Sequence, residues 1–188
     1  MNTNTATPAY HPSVQFVQTS DKDKARFHDV IKGSDTAMLV THCGEGGPIR
    51  ARPMALASLE DNCDTWFVTD GSEGKVAEIQ QFPDVCVTIQ KGATFISMSG
   101  RAFIHHEREK IHELWRDSWK TYFPKGRDSP EIALIKIEPT IGEMWDNSGV
   151  KGIKFMIEMA KARMQHRTPA DMDHAKVDLH HSSMPMKM

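Results

Sequence analysis

The sequence predicts a mainly β protein: an antiparallel split β-barrel with flanking helices and a C-terminal helix. Three observations lead there. From Thr36 onward the apolar pattern repeats every two residues and is rich in β-branched side chains. About seven strand-like runs follow in close succession. Most are joined by short turns, which suit antiparallel pairing; a parallel sheet would need a helix after every strand.

Residues 1–19 read as an arm of small polar residues with two prolines. Ser20 caps a helix over 21–32, with Asp21 and Asp23 in its first turn, an apolar stripe of Phe27, Val30 and Ile31, and Gly33 as its stop. Strands are expected at 36–42, 49–57 and 64–69, joined by Cys43–Pro48 and Leu59–Asn62. A helix at 73–82 leads to strands at 84–91 and 93–105, broken at Gly92. A helix over 107–120 carries Ile111, Leu114, Trp115 and Trp119 on one face, and two last strands, 131–138 and 140–146, meet at Pro139. The pattern at 150–166 is helical, and the remainder is a polar tail without a predicted element. The chain thus divides into an arm (1–19), a barrel domain (20–147) and a C-terminal helix with tail (148–188).

A chain of 188 residues buries enough surface to need no disulfide. Its three cysteines, Cys43, Cys63 and Cys86, form no CxxC pair, as expected in a reducing compartment. With 23 basic and 25 acidic residues, nothing draws it to nucleic acid. No apolar run approaches a membrane span and the first residues do not resemble a secretory leader, so a cytoplasmic location is expected.

Two features could carry chemistry. Arg50, Arg52, Met54 and Leu56 alternate along one strand and share a face. Two neighbouring guanidiniums repel unless an anion or a carboxylate lies between them. The run Thr69-Asp70-Gly71-Ser72-Glu73-Gly74-Lys75 passes from a strand into a helix. There, free backbone N–H groups, the Ser72 hydroxyl and the Lys75 cation could meet a phosphate. An ordinary capped helix with a solvated lysine would have the same local sequence. The histidines of His105–His112 lack the spacing of a zinc helix, and no metal site is expected. No nucleophilic triad or reactive thiol can be assembled.

The order of motifs resembles the pyridoxamine 5′-phosphate oxidase-like split-barrel flavoproteins, in particular the branch of bacterial general stress proteins. The resemblance rests on Arg52-Pro53-Met54, Trp66-Phe67-Val68-Thr69, Ser72 to Lys75 and Phe82-Pro83-Asp84-Val85. It continues in Ser99-Gly100-Arg101-Ala102, in Trp119 to Gly126 and in Glu143-Met144-Trp145-Asp146. It implies a homodimer with flavin mononucleotide (FMN) at the subunit interface. Arg52 and Lys75 would hold the phosphate, with Ser72 near it. Pro53 and Met54 would lie along the flavin, Val68 and Thr69 near the ring or ribityl chain, and Trp145 would come from the other subunit.

Two departures speak against the vitamin B6 reaction. Ala57 stands where the oxidase has a substrate-binding lysine, and Asp146-Asn147-Ser148-Gly149 follows Trp145 in place of the substrate-gripping segment. Phe95 stands roughly where the oxidase has a ring-contacting glutamine. The resemblance implies a flavin-dependent oxidoreductase of unknown small-molecule substrate, the flavin itself supplying the redox chemistry. The alternatives are a non-catalytic flavin-binding or stress-response module, or a relative that binds deazaflavin F420 or haem, with His42 as the axial candidate. Arg52 and Lys75 are both expected to lie outside the core.

Overall fold

The computed structural model describes residues 20–146 and 174–179. The arm at 1–19 and the helix expected at 150–166 lie outside these residues. The described chain runs α1 (Asp21–Lys32), β1 (Thr36–His42), β2 (Ile49–Leu59), β3 (Thr65–Asp70), α2 (Gly74–Gln81), β4 (Asp84–Lys91), β5 (Thr94–His105), α3 (Arg108–Leu114), a 3-10 turn (Asp117–Thr121), β6 (Ile132–Asp146) and β7 (His174–Asp178).

Every strand pairing is antiparallel. The order is β3-β2-β1-β4-β5-β6, and β3 pairs again with β6, closing a six-stranded barrel. The fold is therefore the mainly β barrel with flanking helices that the alternation predicts. The split lies along β6. Its first half pairs with β3 through Ile132–Ile137, whereas its second half pairs with β7 through Ile141–Trp145.

The interior is packed with apolar side chains from alternate positions, among them Leu39, Phe67, Val87, Ile96, Met98, Ile135 and Ile137. Helix α1 joins this core with Phe27 and Ile31, both fully buried. Ser20 caps the helix, its Oγ accepting from the Asp23 backbone N–H, and Gly33 ends it. A second core lies outside the barrel wall, where Trp66, Val68, Ile132 and Leu134 meet Ile111, Trp119 and Phe123. It explains why Thr65–Thr69 is buried at every position instead of alternating.

Three expectations are corrected. The helix expected over 107–120 is broken: Trp115 and Arg116 are extended, and a 3-10 turn follows. The break lets Trp119 enter the second core, with Trp115 edge-on at 5.7 Å between ring centroids, while Arg116 Nη2 donates to the Ala57 carbonyl at 2.6 Å. The strands expected at 131–138 and 140–146 form one strand. Pro139 pairs with Gly100 beside a shift of register between Ser99 and Gly100, the kind of irregularity at which a strand tolerates a proline. Gly100 is required there, since a Cβ would lie 2.3 Å from the Glu138 carbonyl oxygen. Finally, His174–Asp178 is a strand where composition predicts only a polar tail. Val177 and Leu179 enter the barrel core, and the Leu179 N–H donates to the Thr140 carbonyl.

Among the described residues no helix is long and apolar enough to cross a membrane.

Candidate functional site

Strands β2 and β3 and the start of α2 meet beside the second core and enclose a cavity of about 280 Å³. Pro53, Met54 and Ala55 form one wall and Val68, Thr69 and Asp70 another. Glu73 and Lys75 stand at the helix start, and Tyr122 and Phe123 close the side after the 3-10 turn. Five of the eight sequence-predicted residues therefore meet here: Pro53, Met54, Val68, Thr69 and Lys75.

Among the described residues Lys75 is the only lysine or arginine lining the cavity. Only 6 % of its surface is exposed, which corrects the expectation that it lies outside the core. An ammonium at that depth needs partners. Its Nζ donates to Thr69 Oγ1 at 2.9 Å and is ion-paired with Glu73. Glu73 is the N-cap residue of α2, yet its carboxylate makes no capping bond and turns to Lys75 instead.

Ser72 does not cap the helix. Its backbone N–H and hydroxyl both donate to Asp70 Oδ1, at 2.7 and 2.6 Å, closing the turn that carries β3 into α2. The Ser72 hydroxyl bond, then its backbone bond, hold the Asp70 carboxyl below its ordinary value of 3.8.

Arg52 faces elsewhere. The pairing of β1 and β2 sets Arg52 opposite Leu39 and Arg50 opposite Thr41, on the inward face. Successive residues point to opposite faces, so Arg52 and Pro53 diverge. The Arg52 guanidinium binds both oxygens of Glu78 on α2, at 2.7 and 2.8 Å, and donates to Thr41 Oγ1 at 2.7 Å. Thr41 in turn donates to Glu78 at 2.7 Å, and Cys43 and Arg50 make longer contacts to the same carboxylate. Burial pulls the Glu78 carboxyl upward, but hydrogen bonds from Thr41, Arg52 and Cys43 outweigh it and hold the group below its ordinary 4.5. Arg52 is thus a partly buried cross-link between β2 and α2, and it does not line the cavity that holds Lys75. Of its five N–H groups, these contacts use three.

Trp145 lies far along the sheet, opposite Phe95 on β5. Its face is the outer surface of β2, β1, β4 and β5, where two rows cross the strands without a charged side chain: Pro53, Met38, Thr88 and Ser97, then Ala51, Val40, Cys86 and Ser99. Met38 and Phe95 are 37 % and 39 % exposed, and no element of the described chain covers this face. A shallow groove of about 550 Å³ runs along it between His42, Asp84, Cys86 and Arg101. His42, the haem candidate, lines this groove and not the cavity at Lys75. Among the described residues no cluster of His, Cys, Asp and Glu could hold a metal ion.

Sequence reasoning missed Tyr122, Phe123, Glu73 and Glu78. Phe123 carried a signal as part of the Trp119–Gly126 run, but its place in the wall depends on the broken helix. Glu78 lies three residues after Lys75 on the same helix, a spacing that left its strand partners invisible.

A closed antiparallel barrel with a lysine sunk at a strand-to-helix junction defines a class of small barrel proteins with a cavity in the wall. The chain belongs to the pyridoxamine 5′-phosphate oxidase like family, whose model matches residues 22–170. Among solved structures it resembles a candidate general stress protein 26 from Jannaschia sp. CCS1, at 23 % identity and a TM-score of 0.63, over 85 % of this chain and 99 % of that one. The general stress FMN/FAD binding protein of Xanthomonas citri gives 23 % and 0.61, over 69 % and 92 %. General stress protein 26 of Bacillus anthracis str. Sterne gives 24 % and 0.58, over 64 % and 92 %. No curated protein matches the chain.

Proposed function

We propose that this chain binds flavin mononucleotide with the phosphate at Lys75, as a homodimer that completes the site, and that it is a flavin-dependent oxidoreductase of a small molecule. The observation that carries the reading is Lys75: a nearly buried ammonium on the wall of a cavity, at the start of a helix. A helix start and a sunken cation suit a phosphate dianion. The apolar walls of Pro53, Met54 and Val68 suit the flat ring system, Thr69 supplies a hydroxyl beside it, and Ser72 holds the turn in front of the helix through Asp70. The structurally similar Xanthomonas citri protein is described as binding FMN or FAD. Bound flavin would supply two-electron transfer; the residues here bind and orient it.

Arg52 supports the site from the opposite face of β2. By clamping Glu78 it fixes α2, and with it Lys75, against the barrel; its two remaining N–H groups can serve an anion. Two observations favour a second copy. At about 280 Å³ the cavity falls just below the usual range of small-molecule sites, roughly 300–1,000 Å³. Trp145, on the outer face of the sheet opposite Phe95, is also not among the described residues that line the cavity of its own protomer, so a role for it at the cofactor calls for a partner. Ala57 is 3 % exposed and packed in the second core, leaving no place there for a substrate-binding cation, so the vitamin B6 reaction is not proposed.

An absorption spectrum of the purified full chain, before and after added FMN, tests the reading. A flavin spectrum that bleaches anaerobically with a nicotinamide donor is the expected result. A colourless protein that takes up no FMN overturns it.

A further inference from the structure

We propose that Glu73 is an internal stand-in for the ligand's anion: its carboxylate occupies the phosphate position at Lys75 and must be displaced when the ligand binds. The inference rests on the phosphate reading of Lys75 and deepens it.

Lys75 is buried and lines the cavity, and the carboxylate that neutralises it lines the same cavity. That carboxylate is Glu73, and its side chain is 54 % exposed. The second carboxylate at the mouth, Asp70, is held by the N–H and hydroxyl of Ser72 and does not pair with Lys75. Glu78, on the same helix, is locked by Arg52 and Thr41 and is 12 % exposed. Among the described carboxylates only Glu73 combines a direct bond to the cavity cation with an open path into water. With its carboxylate 54 % exposed the pair is partly screened by solvent, and a phosphate dianion can replace it with more charge at the same point. Glu73 left in place would repel that dianion. The residue thereby sets the affinity for phosphorylated ligands relative to unphosphorylated ones.

The test compares the wild-type full chain with Glu73→Gln, Lys75→Met, the double variant and Glu113→Gln. Glu113 is an exposed glutamate paired with Lys110 on α3 and controls for net charge alone. FMN and riboflavin are titrated by quenching of flavin fluorescence, and inorganic phosphate by the rise in Tm it produces. Glu73→Gln should bind FMN about two- to fivefold more tightly, the scale of an ion pair with one solvent-screened partner, with riboflavin unchanged and a larger Tm rise in phosphate. The gain should vanish in the Lys75→Met background, and Glu113→Gln should match the wild type. Equal or weaker FMN binding by Glu73→Gln overturns the proposal, as does a gain shared by riboflavin or one that survives loss of Lys75. The riboflavin comparison decides the matter even if Lys75→Met folds poorly. If no variant binds flavin while Glu73→Gln still gains in phosphate, the flavin reading fails and the role of Glu73 stands. If no probe binds any variant, both fall.

Discussion

Two cation–carboxylate pairs flank the start of α2, and they differ in which partner is buried. In the Arg52–Glu78 pair both side chains are largely enclosed, at 19 % and 12 % exposure, and Thr41 bridges them. In the Lys75–Glu73 pair the cation is sunk and the carboxylate is open to water. The first pair has every charge answered within the wall and acts as a cross-link. The second has a cation whose only ionic partner among the described residues stands open to water. Similar charges a few residues apart thus serve structure in one case and suit a ligand in the other, and solvent access to the carboxylate makes the difference.

The largest expected effect comes from breaking the enclosed pair. Glu78→Ala strands the Arg52 guanidinium and should cost about 2–4 kcal/mol of stability, read from the denaturant midpoint at unchanged m. Arg52→Ala strands Glu78 in turn and should also destabilise, so loss of flavin by that variant would not by itself identify a phosphate ligand. The pH dependence follows from the direction of the shift. Because the folded-state pKa of Glu78 lies below its ordinary 4.5, its contribution is fully present above about that pH. The wild type's lead over Glu78→Ala should therefore shrink as the pH falls further, through the folded-state value. A lead that stays constant into acid would show that the pair does not carry the difference.

Breaking the open pair should act on binding. Lys75→Met keeps most of the buried stem and should weaken FMN by about 1.5–3 kcal/mol, the scale of hydrogen bonds to charged groups. Its denaturant midpoint should move less than that of Glu78→Ala; the reverse order would make Lys75 the structural cation. The smallest effect belongs to Arg50→Ala. Arg50 is 59 % exposed and reaches Glu78 only at 3.4 Å, so stability and flavin affinity should stay within about 0.5 kcal/mol of wild type.

Much of the barrel was legible because its signals are local. Alternation over Thr36–His42 and Asp84–Lys91 marks strands with the observed bounds, and Ser20 and Gly33 bracket α1 as their chemistry requires. The errors fall where distant contacts decide. Pro139 looks like a strand end until a register shift beside Gly100 accommodates it. The helix after Glu107 breaks because Trp119 and Arg116 find partners on β2 and in the second core. Strand β7 has too short a pattern to be read before β6 offers it a free edge.

The candidate site divides the same way. The sequence alone determined that a lysine would stand at a strand-to-helix junction beside Thr69, and that Pro53 and Met54 would lie on a strand paired near it. A short run of turn residues between a strand and a helix is sufficient for that. Tertiary structure decided what each charge meets. The closure of β1, β2 and β3 turned Arg52 inward to Glu78, left Lys75 facing a cavity with Glu73, and brought Tyr122 and Phe123 to its side. Periodicity sets which residues share a face, but only the closed barrel determines what that face looks upon.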